Sequence, residues 1–420
     1  MHDWLRASTV IGLVGLFCMS AAVAGSGTWT FERAVTHGLS VAPETDALEH
    51  RISVQRGSRD QTGRWPNPRL EADVSEGLGR EDGRGGYALT ELSLTQPLPL
   101  WGQLGHGRDA ADARVAEAEA MAEVGRLELE AAIGAAFHAW QKTEADYGLA
   151  QQRLEEAERL NRIARLREER GDLSERERLR ITLFRSEAMR DLEAAEGERA
   201  EARAVLASWL DLSPGELGEA PPFDVPALQA ADTGPGQDGL HDHPALRAAS
   251  ERQRAAASEI SRARAEGRPD VSVRLFRERD VIDGSREGSV GVGIQLELPL
   301  WDRNQGRVRE YAAERRQVQA DARTLHRDLA RQISVSTEYL AHLLRELERH
   351  REETLAPAHR VRELTYRGYE TGEATLLELL EAYNTHFDAV RQEQQLLAES
   401  WEEWRELRLG RGQSLVEDTQ

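Results

Sequence analysis

Apolar and polar residues alternate strictly along one nine-residue segment of the chain. In residues 290–298, Val, Val, Ile, Leu and Leu occupy alternate positions, with Gly, Gly, Gln and Glu between them. A period of two predicts a β-strand with one apolar face. Shorter alternation at 70–75 and 271–275, and a less regular segment at 87–96, indicate three more strands. Gly-rich or charged stretches predict the hairpin loops of the two strand pairs at 76–86 and 277–288.

A helical pattern follows each strand pair. Leu329, Ile333 and Leu340, for example, keep helical spacing among Arg and Glu. The pattern predicts a long helix after each strand pair, a returning helix after each long one, and a shorter helix before each pair. We place the long helices at about 104–170 and 305–369, the returning helices at about 175–210 and 376–409, and the shorter helices at about 30–60 and 244–266. A helix of about 66 residues is roughly 100 Å long, several times the thickness of a membrane core.

Landmarks of the first half of the chain recur in the second half. Leu-Pro-Leu-Trp occurs at 98–101 and at 298–301, an offset of 200. Other landmarks recur at an offset of 201: Pro43 with Pro244, Pro68 with Pro269, and Gly171 with Gly372. Such shared offsets indicate duplication of one multi-element unit. The predicted segments are 1–24 (signal), 25–210 (first repeat), 211–243 (a Pro- and Gly-rich linker), 244–409 (second repeat) and 410–420 (a polar tail).

The first 24 residues have the features of a cleaved secretory signal. A short apolar run, 10–17, is followed by Ala22-Val23-Ala24, a small-residue cleavage pattern. Cys18, the only cysteine, lies inside this segment, so we expect the mature chain to contain no thiol or disulfide. No other stretch approaches the roughly 20 apolar residues of a membrane-spanning helix, and we expect none.

Composition narrows the possible functions. The formal net charge of -20 makes a nucleic-acid partner improbable, because phosphate binding needs clustered Lys and Arg. No nucleophile–base constellation or phosphate loop is found, so we predict neither an enzyme nor a cofactor. His241-Asp242-His243 in the linker could bind a transition metal weakly, but such residues on a Pro-rich loop are more often polar surface. We therefore predict no metal site.

The predicted strands have the length of strands that cross a bilayer, about 9 to 11 residues. The aromatic residues near the predicted strand ends fit the membrane interfaces: Trp65, Tyr87, Trp101, Phe276 and Trp301. A soluble, half-buried sheet gives the same alternation, so the pattern alone leaves both structures open. Four strands cannot close a membrane barrel, since the smallest has about eight. If the strands cross a membrane, several copies must share one barrel.

The duplicated unit, two strands per repeat, long helical hairpins and the Pro-Leu-Trp turns resemble the TolC-type outer-membrane efflux proteins of Gram-negative bacteria. These barrel-to-helix turns contain Pro99, Trp101, Pro299 and Trp301. The resemblance extends from about Phe31 to Leu409. It implies a mainly α fold with β, in which three chains form a twelve-stranded outer-membrane barrel continuous with a periplasmic helical barrel. The segment 298–306 is most similar to the CzcC-like branch of heavy-metal efflux.

The resemblance implies a passive channel of a tripartite, RND-type efflux system, with heavy-metal cations as the expected cargo. The expected partners are a periplasmic adaptor and an inner-membrane RND transporter. The adaptor is expected at the helical tips: Gly171, Asp172, Leu173 and Ser174, and Gly372, Glu373, Ala374 and Thr375. Two alternatives remain open: a multidrug or type I secretion duct of the same fold, and, from another class, a periplasmic adaptor.

Glu378 and Glu381 are the candidate pore gate. They lie three residues apart just after the second tip and share one helix face. The TolC-type family carries paired acidic residues at this place, where the helices converge at the periplasmic entrance. In several relatives these residues are Asp. In a trimer, six carboxylates around a narrow pore would favour cations. Without the resemblance, these residues are interpreted as a solvated acidic face.

Overall fold

The computed structural model describes residues 28–75, 89–171, 173–226, 240–282 and 285–416. Within this part of the chain, the first repeat contains α1 (Phe31–Val41), α2 (Pro43–Thr62), β1 (Arg69–Ser75), β2 (Leu89–Leu98), α3 (Gln103–Glu169) and α4 (Glu175–Trp209). The second contains α5 (Pro244–Glu266), β3 (Asp270–Ile282), β4 (Ser285–Glu297), α6 (Gln305–His350), α7 (Ala356–Thr371) and α8 (Leu376–Gly410). The predicted fold class, mainly α with two strands per repeat, is confirmed.

Several predictions fall outside the described residues. They are the signal segment with Cys18, the loop at 76–86, Tyr87, Asp172, the middle of the linker and the side chain of His241. Within the described ranges, no helix is both long enough and apolar enough to cross a membrane.

The first helix of each repeat differs between the repeats. α5 is continuous, but the segment predicted as one helix at 30–60 is divided into α1 and α2. Ala42, between them, has an extended backbone with ψ of 122°. Pro43 begins α2, and a proline disfavours the helical conformation in the residue before it. The prediction of one continuous helix is therefore wrong at Ala42.

The second long helix contains an irregular turn. The helix predicted over 305–369 is continuous, but a π-helical turn, Arg351–Leu355, lies between its α-helical parts, α6 and α7. A π turn inserts one extra residue into a helix. Pro357 follows this turn and has no backbone N–H to donate, so the regular ladder of hydrogen bonds could not continue through it unchanged.

The offset between the repeats changes across this π turn. Before it, Ile133 and Ile333 are both buried at an offset of 200. After it, Ala157 and Ala358 are both buried at an offset of 201. The π turn thus accounts for the one residue by which the interval from Trp301 to Gly372 exceeds the interval from Trp101 to Gly171.

The four strands form one antiparallel sheet in the order β1–β2–β3–β4. The predicted loop at 277–288 is wrong for most of its length, because β3 and β4 stay paired as far as Ile282 opposite Ser285. Apolar residues align across the whole sheet, as in the row Leu70, Leu94, Leu275 and Val292.

The apolar face of the sheet is exposed in the single chain. Val290, Val292 and Ile294 are 73%, 71% and 76% exposed. Among the described strands, β1 pairs only with β2 and β4 only with β3, so both edges of the sheet are open. A single chain therefore exposes an apolar surface and two unpaired strand edges.

The opposite face of the sheet is polar. Glu91 on β2 and Arg274 on β3 form an ion pair there. Phe276 lies mid-strand on this face over Gly291, where an added Cβ would stand 2.4 Å from the Phe276 ring. Phe276 is thus not a residue of the strand end, and its prediction as an interfacial aromatic is wrong.

The two long helical hairpins, α3–α4 and α7–α8, pack side by side towards their tips. Their common core contains, among others, Leu160, Ile181, Phe184, Leu379, Tyr383 and Phe387. A second cluster around Trp140 includes Leu217 from a 3₁₀ turn in the linker, Pro214–Leu217. The described start of the linker therefore packs against the helices.

The residues after Gly410 differ from the predicted loose polar tail. Leu415 and Val416 are buried. The carboxylate of Glu130, itself buried, accepts hydrogen bonds from the Ser414 hydroxyl at 2.7 Å and from the Leu415 N–H at 3.0 Å. This contact satisfies a buried charge of α3 and holds the segment as far as residue 416.

Candidate functional site

The two helical tips have the same backbone geometry. Gly171 and Gly372 adopt left-handed conformations, with φ of 79° and 85°. This conformation favours glycine because it carries no Cβ. At the second tip, the N–H groups of Glu373 and Ala374 both donate to the carbonyl of Gly368, at 2.8 and 3.0 Å. Both tips are therefore tight helix-ending turns.

Not all of the predicted tip residues face the solvent. Gly171, Ser174, Glu373 and Thr375 are exposed. Leu173 and its repeat counterpart Ala374 are half-buried and pack against the core shared by the two hairpins. The exposed surface of the tips consists of the turn glycines and the polar residues.

Each returning helix begins with a capping box. The Thr375 N–H and hydroxyl donate to the Glu378 carboxylate at 2.7 and 2.9 Å, and the Glu378 N–H donates back to the hydroxyl at 3.3 Å. Ser174 and Glu177 form the same box on α4. The hydrogen bonds from Thr375 hold the pKa of the Glu378 carboxyl below its usual value. The sequence pattern Thr-x-x-Glu carries this signal.

Glu378 and Glu381 therefore have different surroundings, although both are exposed. Their counterparts in the first repeat, at the offset of 201, are Glu177 and Arg180. The glutamate of the capping box occurs in both repeats, as Glu177 and Glu378, and its hydrogen bonds to the N-cap residue explain its presence in both. The acidic residue one turn later occurs only in the second repeat, so helix capping does not explain Glu381.

A hydrogen bond joins the two hairpins beneath the tips. The Tyr383 hydroxyl on α8 donates to the Glu156 carboxylate on α3 at 2.9 Å. Burial and the neighbouring Glu156 raise the pKa of the Tyr383 hydroxyl, so it remains a donor at neutral pH. This pair is not identifiable from the sequence, because the two residues lie 227 positions apart and no local spacing links them.

The two barrel-to-helix turns have the same backbone but different surroundings. The N–H of Leu100 donates to Leu98 and that of Leu300 to Leu298, both at 2.9 Å across the intervening prolines, Pro99 and Pro299. Trp101 is partly buried, and its indole N–H donates to the carbonyl of Pro269 at 2.7 Å. Trp301 is 87% exposed.

These features match a known family over most of the chain. The model of the outer membrane efflux protein family matches residues 39–210 and again residues 236–410. The chain belongs to the outer membrane efflux protein family. This membership places the protein in the outer membrane, with its helices extending into the periplasm, as a channel of an efflux system. The alternative of a periplasmic adaptor is set aside.

Individual relatives of this family agree with the assignment. The nickel-cobalt-cadmium resistance protein NccC of Alcaligenes xylosoxydans xylosoxydans is 27% identical over 341 residues, 79% of this chain and 75% of NccC. The solved outer-membrane channel OprN shares the fold, with a TM-score of 0.76, 20% identity and coverage of 91% of this chain and 89% of OprN. CusC gives a TM-score of 0.76 at 16% identity, over 98% and 99% of the two chains.

The possible metal ligands of this efflux protein do not form a cluster in the described part of the chain. There, no three His, Cys, Asp or Glu residues are placed to hold one ion. His243, considered in the sequence analysis as a possible weak ligand, caps α5: its Nδ1 accepts from the Ala245 N–H at 3.1 Å. Burial lowers the pKa of the His243 imidazole.

Proposed function

We propose that three copies of this chain form the outer-membrane exit duct of a tripartite, RND-type efflux system, with heavy-metal cations as cargo. Each copy contributes four strands to a twelve-stranded barrel and two hairpins to a helical tunnel. The duct is passive, and it opens when a periplasmic adaptor and an inner-membrane transporter engage the tips.

The observation that carries this proposal is the exposed apolar face of the sheet together with its two open edges. Burying a Val or Ile side chain contributes about 2 kcal/mol, and several such side chains face outward from β4 alone. In hydrocarbon each unpaired backbone group costs several kcal/mol, so β1 and β4 must pair with strands of other copies. A shared barrel in lipid satisfies both requirements.

The helices support the periplasmic part of the proposal. α3 contains 67 residues and is about 100 Å long at the usual helical rise. The long helices begin just after β2 and β4, and the tips at Gly171 and Gly372 follow their far ends, away from the sheet, which makes the tips the natural contacts for an adaptor. The exposed residues there are Gly171, Ser174, Gly372, Glu373 and Thr375.

We assign the gate to the acidic face of α8 that contains Glu378 and Glu381. In a trimer this face supplies six carboxylates where the helices converge. The repeat comparison favours Glu381 as the main source of charge selectivity, because Glu378 is already engaged with Thr375.

The heavy-metal cargo is supported by the similarity to NccC, a nickel-cobalt-cadmium resistance protein. The formal net charge of -20 is compatible with a cationic cargo. A multidrug or secretion duct would have the same fold, so cargo must be tested in cells. We expect a deletion strain to lose tolerance to nickel, cobalt or cadmium and to regain it on complementation. Unchanged metal tolerance together with new drug sensitivity would assign the duct to multidrug export.

A further inference from the structure

The junction between the two repeats lies within one chain and shows how repeats meet. α5 of the second repeat packs against α3 of the first repeat and also against α6. Its counterpart α2 packs against α3, but none of its residues is buried. In the single chain, α5 packs against two long helices, α3 and α6, whereas α2 packs against only one, α3. Likewise α3 packs against both α2 and α5, whereas α6 packs against α5 alone of these two helices.

We propose that α6 of a second copy covers the open side of α2, in the arrangement in which α3 contacts α5. This inference rests on the proposed trimer and specifies its contacts. Residues of α2 and α5 correspond at the offset of 201, and residues of α3 and α6 before the π turn correspond at 200. Each pair of positions in contact at the internal junction thereby predicts a pair of positions that lie close together between copies, and the residues at these positions decide which contacts are retained.

Two cavities verify the correspondence of these helices. A cavity between α1, α2 and α3 is lined by Ala122 and Glu123, among others. A second cavity, between α5 and α6, is lined by Ala322 and Arg323. These pairs on α3 and α6 are related by the offset of 200. Glu49 of α2 and Ser250 of α5 also line the two cavities and are related by 201, so α2–α3 and α5–α6 pack in the same register.

The first predicted contact involves the exposed Trp301. At the internal junction, the Trp101 indole N–H donates to the Pro269 carbonyl at 2.7 Å. The counterparts of these residues are Trp301 and Pro68, and both residue types are retained. Trp301 is 87% exposed and Pro68 is also exposed in the single chain. Between copies, the indole N–H of Trp301 donates to the carbonyl of Pro68 in a second copy, which repeats the internal hydrogen bond.

The second predicted contact is an ion pair with its charges exchanged. At the internal junction, Glu123 on α3 pairs with Arg247 on α5. Their counterparts are Arg323 on α6 and Asp46 on α2. The acidic and basic residues change places, but the attraction is retained. Asp46 and Arg323 are both exposed, so each is accessible to a second copy.

Another ion pair of the internal junction has no counterpart of this kind. Arg114 on α3 pairs with Glu259 on α5 at 2.7 Å. The corresponding residues, Glu314 and Ser58, cannot form an ion pair. The electrostatic part of the predicted contact between copies therefore rests on Asp46 and Arg323.

Cross-linking tests this contact directly. The protein is purified in detergent from a Cys18→Ser background, with Asp46→Cys and Arg323→Cys introduced together, and treated with a short bis-maleimide. We expect covalent dimers and trimers on a denaturing gel, and neither from the single cysteines. Glu123→Cys with Arg247→Cys is the matched control, because it should cross-link within one chain. Asp46→Cys with Arg349→Cys, about seven turns further along α6, should not cross-link.

Charge reversal provides an independent measurement. Asp46→Arg alone and Arg323→Asp alone should each reduce the yield of trimer in detergent, and the double variant should restore it. A trimer in which the control pair cross-links and the pair at 46 and 323 does not would overturn this inference and leave the proposed duct intact. A particle that is monomeric in detergent would overturn both.

Discussion

Glu378 accepts two hydrogen bonds from Thr375, one from its backbone N–H at 2.7 Å and one from its hydroxyl at 2.9 Å. Glu177 and Ser174 repeat this relationship at the first tip. A residue predicted as part of a pore gate thus also holds the start of α8. Capping and charge must therefore be separated by experiment.

The cap makes a stability prediction. Thr375→Ala removes the side-chain acceptor for the Glu378 N–H, and loss of such an N-cap costs about 1 kcal/mol. We expect faster amide hydrogen exchange in the first turn of α8, and little change in Thr375→Ser, which keeps the hydroxyl. Equal exchange in Thr375→Ala and wild type would show that the box does not stabilise this helix end.

The cap also predicts a dependence on pH. The pKa of Glu378 is lowered from 4.5 in the folded protein, so its stabilisation is fully present above pH 4.5 and is lost as the pH falls through the lower folded value. Hydrogen exchange in the first turn of α8, corrected for intrinsic rates, should rise on acidification in wild type. Glu378→Gln, which does not titrate and can retain the capping geometry, should show a smaller rise. The same rise in both proteins would exclude this carboxyl as the cause.

Charge selectivity should depend more strongly on Glu381 than on Glu378. We expect Glu381→Gln to reduce the cation preference of the channel, measured as the reversal potential in planar bilayers under a salt gradient. Glu378→Gln removes the same charge but retains the cap, and Arg180→Gln tests the corresponding position of the first hairpin. Unchanged cation preference in the Glu378→Gln, Glu381→Gln double variant would remove the gate assignment.

The π turn predicts that one deletion is tolerated and another is not. Deleting Glu353, together with Pro357→Ala, converts Arg351–Leu355 into regular helix and leaves the faces of α6 and α7 in register. Deleting Glu363 in α7 rotates the helix before this position by about 100° relative to the helix after it. We expect the first variant to assemble and the second to lose its packing, measured by yield and thermal stability. The opposite order would show that the π turn does not hold the extra residue.

The sequence predicts the fold well where periodicity is long. Strict alternation over 290–298 correctly identifies β4, and the repeated landmarks correctly give two copies of one unit. The loop assigned to 277–288 is wrong because the backbone pairing of β3 with β4 continues through charged residues such as Arg277 and Glu278, and local composition does not report strand pairing. The π turn changes the repeat offset from 200 to 201 without altering the helical appearance of the sequence.

The site is less predictable than the fold. The cap formed by Thr375 is present in the sequence as a local motif, whereas the bond from Tyr383 to Glu156 joins distant segments and requires the folded chain. The position of Phe276 over Gly291 depends on strand register, and alternation alone does not fix register.

The mass of the mature protein in detergent tests the central claim most directly, namely that one chain supplies only a third of a closed barrel. Native mass spectrometry should give a particle of three chains that needs detergent or lipid to stay in solution. A monomer that remains soluble in plain buffer and does not bind lipid vesicles would contradict this account.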